Sequence, residues 1–208
     1  GTRALSNSKV SFSINDNLKL SSRIAIDYTL GSSHEFRDPN HGDGASRNGT
    51  AYEAISRNFL WQTVNELEYN EVFGDNEHFI SALLRQSYSN NKSNFMSAFG
   101  TNVAAEGLYY VASFNTNETG YSSFGDYKEL GYLALANYSY KDKYVLDLSF
   151  RNDGSSRFAS GYRFGNFYSV GAAWNISNEN FLADSDIVDD LKLRASFGQT
   201  GNNGIGNN

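Results

Sequence analysis

Two adjacent serines in the segment Asp153-Gly-Ser-Ser-Arg-Phe158 are the residue type of a nucleophilic hydrolase loop. A serine nucleophile needs a histidine base and an orienting acid within hydrogen-bond reach. The chain has three histidines, and all of them lie well before this segment: His34, His41 and His78. Asp and Gly suit a tight turn, where serine side chains bond to the local backbone. We therefore expect a structural role for the segment, and we expect no catalytic residues in this chain.

Oxygen donors are spaced through residues 34–44, a glycine-containing stretch that holds the single proline. Asp38, Asn40 and Asp43 are the side chains in it that could bind calcium, because Ca²⁺ prefers oxygen ligands. The stretch is not an EF-hand, since Gly42 occupies a usual ligand position and no Glu follows at the required offset. Such a composition is common in solvated turns, so calcium is a hypothesis beside that of a plain loop.

Aromatic side chains are frequent among the Ser, Asn and Gly residues of segment 89–126. Aromatic rings in a long loop can stack on sugar rings or contact a partner protein. They can equally pack the loop onto itself or extend a sheet. The candidates for contact with a substrate are Tyr109, Tyr110 and Tyr121.

Strands must position these residues, because alternation of apolar and polar residues with period two is the main pattern of the chain. The clearest example is residues 130–138 and 144–150, which alternate on either side of a turn at Lys141-Asp142. An earlier connection, Asn15-Asp16-Asn17, places Ile14 opposite Leu18 and puts both apolar sets on one face. The same alternation occurs in residues 59–69, 80–84, 168–174 and 191–197.

Strand length and loop length favour a membrane barrel over a soluble sheet. Several alternating runs reach about 10 to 17 residues, whereas strands of soluble proteins average about 5 to 6 and tilted membrane strands need about 9 to 11. Short connections near 15–17, 73–76 and 140–142 alternate with long ones near 31–55, 89–126 and 151–162. We predict an all-β antiparallel transmembrane β-barrel segment of about eight or nine long strands, with short periplasmic turns and long extracellular loops.

Composition excludes several classes of protein. The 17 basic and 23 acidic residues give a net charge of −6, which disfavours nucleic acid as a partner. The absence of cysteine excludes disulfides, thiolate zinc sites and cysteine nucleophiles. No residue pattern indicates a cofactor. The chain starts at Gly1 without a methionine or an apolar signal core, so we expect it to be a piece of a longer protein.

Four strings in the last third of the chain resemble the SusC/RagA family of TonB-dependent outer-membrane transporters. They are Tyr138-Ser-Tyr-Lys-Asp-Lys-Tyr144, Arg151-Asn-Asp-Gly-Ser-Ser-Arg-Phe158, the Phe167-x-Ser169 to Trp174 string, and Leu191-Lys-Leu-Arg-Ala-Ser-Phe-Gly-Gln-Thr-Gly-Asn202. The resemblance is strong over residues 127–203 and looser over 56–88. One departure is Tyr168, where the family usually has proline. The motif residues, for which we expect structural roles, are Asp153, Gly154, Ser155, Ser156, Arg157, Phe158, Trp174, Leu191, Lys192, Leu193, Arg194, Gly201 and Asn202.

The resemblance implies a much larger parent protein, because such transporters have barrels of about 22 strands. Residues 1–208 would then be a partial barrel domain, with the plug, the TonB box and the remaining strands absent. The resemblance implies location in the outer membrane of a Gram-negative bacterium, in contact with lipid. It also implies import of oligosaccharides or peptides, with a SusD-like surface lipoprotein as partner and the TonB complex acting through the missing plug.

Two other classes of function remain open from the residues alone. A soluble all-β carbohydrate-binding or adhesin module would need a second sheet to cover the apolar face. An outer-membrane enzyme of the small-barrel type, a lipase or a protease, would need a histidine-centred constellation that the sequence does not offer.

Overall fold

Eight β-strands form one antiparallel sheet, in which each strand pairs with its neighbours in the sequence. The computed structural model describes residues 1–105, 107–182 and 188–201. Short 3₁₀ helices occur at Gly42–Arg47, Val111–Ser113 and Ile176–Asn178. Among the described residues, no helix has the length and the apolar character needed to cross a membrane. The strands are β1 (Thr2–Ser13), β2 (Leu18–Arg37), β3 (Thr50–Phe73), β4 (His78–Val103), β5 (Phe114–Tyr140), β6 (Tyr144–Ser155), β7 (Phe164–Asn175) and β8 (Lys192–Gly198).

The turn between β1 and β2 forms as the sequence predicts. The Ile14 N–H donates to the Leu18 carbonyl at 2.8 Å, which agrees with the expected pairing of these residues. The Asn15 side chain accepts hydrogen bonds from the N–H groups of Asn17 at 2.9 Å and of Leu18 at 2.7 Å. This side chain therefore replaces the strand partners that the turn residues lack.

Residues with positive φ make the other two tight turns. Gly74, Asp75 and Asn76 all have positive φ, between β3 and β4, and Lys141 and Asp142 do so between β5 and β6. Only a few residue types adopt this conformation readily, and Gly, Asn and Asp are among them. The sequence predicts a turn that begins at Phe73. The positive-φ residues, which cannot continue a strand, begin only at Gly74, so Phe73 is the last residue of β3 and the turn begins one residue later.

Strands β2 to β5 are longer than the sequence pattern indicates. They contain 20, 24, 26 and 27 residues, about twice the length that a membrane crossing needs. The ranges predicted for the long loops, 31–55 and 89–126, therefore contain more residues than the loops of the structure. Hydrogen bonding between strands continues through these polar stretches, where the side-chain alternation that marks a half-buried strand is weak. The connections that remain lie between Arg37 and Thr50, between Val103 and Phe114, and between Ser155 and Phe164.

The register of β5, β6 and β7 separates an apolar face from a polar face. Leu148 lies opposite Ala136 and Val170, whereas Ser149 lies opposite Ser169, to which its hydroxyl is bonded at 2.6 Å. Residues directly opposite each other share a face, so the alternation along one strand extends across the sheet. The large side chains of the apolar face are between 39% and 68% exposed: Tyr132, Tyr144, Leu146, Leu148, Phe150, Tyr168, Val170, Leu193 and Phe197.

The chain divides into two compact units that differ in where their apolar side chains lie. Unit 1 has a small buried core of Ala51, Val111 and Phe114, with Phe36 and Val103 packed against it. Among the described residues of unit 2, no large apolar side chain is buried. Unit 2 is thus a single layer with an uncovered apolar face. Unit 1 comprises residues 1–6, 25–61 and 90–127, and unit 2 comprises 7–24, 62–89 and the described part of 128–208.

The two faces of β6 should respond in opposite ways to a charge. We expect Leu148→Arg, which places a charge on the apolar face, to cost about 2 to 4 kcal/mol when the protein is folded in lipid vesicles. Ser149→Arg changes the neighbouring residue on the polar face and should cost no more than about 1 kcal/mol, for the lost hydrogen bond to Ser169. Urea unfolding in vesicles measures both. Equal costs would contradict the assignment of the apolar face to lipid.

Candidate functional site

The Glu66 carboxylate, on the polar face of unit 2, contacts side chains from three other strands. Oε1 of Glu66 lies 2.6 Å from Nη2 and 2.7 Å from Nε of Arg85. The Ser21 hydroxyl donates to Oε2 at 3.3 Å, and Nζ of Lys9 lies 3.8 Å from the same oxygen. The Glu66 side chain is 14% exposed. Because the four residues come from β1, β2, β3 and β4, this carboxylate links consecutive strands through their side chains.

A second ion pair stands on β6 beside this cluster. Nη2 of Arg151 lies 2.8 Å from Oδ2 of Asp153, two residues further along the same face. Both clusters line a groove of about 390 Å³. We call it the Glu66 groove, and its charged residues are Lys9, Arg23, Glu66, Arg85, Arg151 and Asp153.

The two serines of the Asp-Gly-Ser-Ser segment are engaged with backbone groups. The Ser156 N–H donates to the Lys128 carbonyl at 2.9 Å, and the Ser156 hydroxyl accepts from the Lys128 N–H at 2.8 Å. The Ser155 hydroxyl accepts from the Arg157 N–H at 3.3 Å, and the Ser155 carbonyl accepts from the Phe158 N–H at 3.3 Å. These contacts join the end of β6 to β5 and shape the turn that follows, as a structural role requires.

Gly154 occupies a position that admits no side chain. It lies directly opposite Phe164, and a Cβ built on it would stand 2.7 Å from Cδ1 of that ring. The ring belongs to a group of aromatics that, with Arg151 and Asp153, line a second cavity of about 610 Å³. The glycine of the motif therefore allows the Phe164 ring to pack directly against the strand. The other aromatic residues of this cavity are Phe158, Tyr162, Phe167 and Tyr168.

A glutamate in the β7–β8 connection accepts hydrogen bonds from three motif side chains. Oε1 of Glu179 accepts from the Tyr144 hydroxyl at 2.6 Å and from Nε1 of Trp174 at 3.0 Å, while Oε2 lies 2.9 Å from Nζ of Lys143. These donors lower the pKa of Glu179 to about 2, the Tyr144 hydroxyl contributing most. Sequence reasoning missed Glu179, because its partners lie up to 36 residues away. The available signal was an acidic residue five positions after Trp174, which ends a motif string.

The last motif string forms β8 and its approach. The Leu191 carbonyl accepts hydrogen bonds from the N–H groups of Ile176 at 2.8 Å and Ser177 at 3.2 Å, which closes the connection. Gly201 lies against the ring of Phe167. Asn202 lies outside the described residues. In the β7–β8 register, Lys192 is opposite Asn175, Leu193 is opposite Trp174, and Arg194 is opposite Ala173.

The three candidate tyrosines lie in unit 1, and the ring of each one is close to a different aromatic residue. Tyr109 packs edge-on against Phe36, with ring centroids 4.8 Å apart, and Tyr110 lies 5.4 Å from the His34 ring. Tyr121 lies within β5 and not in a loop, 5.9 Å from Phe95. All three remain at least half exposed. Contact with a substrate stays a prediction for these residues.

Two of the three oxygen donors of the proposed calcium loop, Asp38 and Asp43, have protein partners. Oδ1 of Asp38 accepts from the Asn40 N–H at 2.7 Å, and this hydrogen bond holds the pKa of Asp38 below its ordinary value. Oδ2 of Asp43 lies 3.8 Å from Nη1 of Arg37, and its side chain is 88% exposed. Within the described ranges, no group of three His, Asp or Glu residues is arranged to hold a metal ion. Calcium binding by Asp38, Asn40 and Asp43 stays a prediction.

Relatives of known type share the sequence and the fold. The TonB-dependent receptor P26 of Formosa agariphila is 34% identical over 148 residues, which is 70% of this chain and 15% of that receptor. The TonB-dependent receptor SusC of Bacteroides thetaiotaomicron is 43% identical over 77 residues, 37% of this chain and 8% of SusC. A solved structure of the RagAB peptide importer in its closed-closed state superposes with a TM-score of 0.89 and 28% identity, over 99% of this chain and 23% of that one. No family model matches the chain.

The chain belongs to the SusC/RagA family of TonB-dependent receptors. This confirms the resemblance and the all-β barrel fold that the motifs implied. The chain spans about 15% of the length of the curated relatives that it matches over most of its own length.

Gly154 provides a test of the motif in the full-length SusC/RagA-type receptor. We expect Gly154→Ala to destabilise the receptor by about 1 to 3 kcal/mol, because the new methyl group collides with the Phe164 ring. The control is Gly120→Ala in β5, where a Cβ meets nothing within 4 Å. Urea midpoints in lipid vesicles compare the two variants. A Gly154 variant as stable as its Gly120 counterpart would contradict the packing role.

The lowered pKa of Glu179 predicts that its contribution to the stability of the receptor depends on pH. A folded-state pKa of about 2, below the ordinary 4.5, means that its contribution is complete above about pH 4.5 and is lost as the pH falls toward 2. We expect Glu179→Gln to lower the temperature at which the receptor loses its folded electrophoretic mobility at pH 7, and to leave a smaller difference from wild type at pH 2.

The matched control is Glu77→Gln, which removes a more exposed ion pair with Lys141 at 2.8 Å. Exposed pairs contribute about 0 to 1 kcal/mol, so this variant should resemble wild type. A wild-type advantage over Glu179→Gln that grows on acidification would show that the sign of the pKa shift is wrong.

Proposed function

We propose that the chain forms part of the wall of an outer-membrane transporter that imports oligosaccharides or peptides in a Gram-negative bacterium. The observation that carries the proposal is the match of its backbone to the RagAB peptide importer, with a TM-score of 0.89 over 99% of the chain. The apolar face supports it, because an uncovered face of large apolar side chains suits lipid. The polar face then lines the route of the solute.

The proposal includes partners beyond this segment. A SusD-like surface lipoprotein would cooperate in capture, and the TonB complex would supply energy through a plug elsewhere in the protein. The resemblance to SusC supports both partners. The exposed Tyr109, Tyr110 and Tyr121 of unit 1 are candidates for contact with the cargo or with the lipoprotein, since exposed rings suit both sugars and protein surfaces.

Two competing functions have less support. A soluble carbohydrate-binding or adhesin module needs a second sheet over the apolar face, and the described residues form a single sheet. A barrel enzyme needs a base at its nucleophile, but Ser155 and Ser156 are bonded to backbone groups. The ring nitrogens of the histidines have other neighbours: His78 bonds to Tyr138, His34 lies near Glu53, and His41 lies near Asp38.

Uptake by intact cells tests the proposed function. We expect cells that carry the full-length receptor to accumulate labelled oligosaccharides or peptides from a mixed pool, and a receptor deletion to abolish the uptake of one class. A deletion of tonB should have the same effect, since the energy comes from the inner membrane. Complementation with the intact gene is the control. Unchanged uptake of both classes in both deletions would refute transport.

A further inference from the structure

The Glu66 groove carries a surplus of positive charge. Because the whole chain has a net charge of −6, this surplus is local and does not follow from composition. We propose that the groove binds an anionic group, a carboxylate, of the solute that moves along the polar face. Four of its charged side chains are cationic and two are anionic: Lys9, Arg23, Arg85 and Arg151 against Glu66 and Asp153.

Both carboxylates of the groove already have close cationic partners. Glu66 pairs with Arg85 at 2.6 Å, and Asp153 pairs with Arg151 at 2.8 Å. The remaining cation near Glu66 is Lys9, whose Nζ stands at 3.8 Å, near the outer limit of an ion pair. Two side chains of each sign therefore cancel, and two cationic side chains, Lys9 and Arg23, are left over.

Arg23 is the cation of the groove that has no carboxylate partner among the described residues. Its side chain is exposed, and no carboxylate of the described residues forms an ion pair with it. A guanidinium group presents a planar fork of donors that matches the two oxygens of a carboxylate. Arg23 thus offers a bidentate contact to an incoming anion without first breaking an existing pair.

The surroundings limit the size of the anion. The groove has a volume of about 390 Å³, within the range of about 300 to 1,000 Å³ of small-molecule sites. The adjoining cavities of the polar face contain further carboxylates, Glu68 on one side and Glu129 on the other. These would repel a continuous polyanion. The groove therefore suits one acidic sugar residue or one acidic side chain of a mostly neutral solute.

Direct binding to the purified full-length receptor tests the inference, which rests on the proposed function because only a solute route brings cargo to this face. The probes form two matched pairs, galacturonate flanked by neutral galactose units against its methyl ester, and Ala-Glu-Ala against Ala-Gln-Ala. We expect one acidic probe to bind about tenfold tighter than its neutral partner and to weaken as salt rises. The pair that discriminates identifies the source of the anion.

Arg23→Gln is the decisive variant, because it removes a charge without leaving a carboxylate unpaired. We expect it to weaken binding of the acidic probe about tenfold, the effect of one charge-assisted contact, and to leave the neutral probe unchanged. Lys19→Gln is the matched control, an exposed cation on the same strand that does not line the groove. Electrophoretic mobility of the folded receptor checks that both variants retain the fold.

Two results would overturn the inference: equal binding of the acidic and neutral probes, or an acidic preference that survives Arg23→Gln. TonB-dependent uptake without acidic preference would leave the proposed function intact and refute the groove. Acidic binding that depends on Arg23, in a receptor that imports nothing, would support the groove and refute transport.

Discussion

The pairing of backbone N–H and C=O groups between neighbouring strands is the constraint on which this structure depends. Lipid offers no hydrogen-bond partners, so a strand can face it only when its neighbours satisfy its backbone. The six inner strands of the described sheet, β2 to β7, meet this condition by pairing on both sides in sequence order. Pairing in turn fixes the alternation of side chains, and β5 to β7 show both consequences, with Leu148 on one face and Ser149 on the other.

Once the faces are fixed, charge can accumulate only on the polar one. Glu66 is 14% exposed, and its carboxylate has Arg85 2.6 Å away and a further hydrogen bond from the Ser21 hydroxyl. Removing either partner would leave a poorly hydrated charge, which costs more than an exposed pair contributes. The cluster therefore favours one register of β2, β3 and β4, and it makes the groove at the same time. Structural pairing and the surplus charge available to a ligand arise from the same side chains.

Sequence reasoning predicted the tight turns and the faces of strands whose apolar and polar residues alternate. It missed side-chain contacts between residues far apart in the sequence and the strand segments that are uniformly polar. The Ile14–Leu18 turn and the faces of β6 were predictable, because turn chemistry and period two are visible within about 20 residues. The extension of β2 to β5 was not, because outside an apolar environment a strand needs no alternation. Glu66 was visible only as a polar residue of β3, since its partners lie on three other strands. The motif string located Gly154, but only the structure identifies the Phe164 ring that excludes a side chain there.

At the end of unit 2 that carries the β3–β4 and β5–β6 turns, aromatic side chains form the border of the apolar face. Their polar groups have hydrogen-bond partners there. The rings of Phe73 and His78 stack at 4.8 Å, and those of Tyr144 and Trp174 stack at 6.4 Å. Rings with an apolar body and a polar edge suit the boundary between lipid and water. Here the polar edges are not left to water alone, since the Tyr144 hydroxyl and the Trp174 indole both donate to Glu179. A carboxylate in a connection thus fixes the orientation of two rings on the strands. Its charge stays outside the apolar face because it belongs to the loop, while its hydrogen bonds hold the rings at the edge of that face.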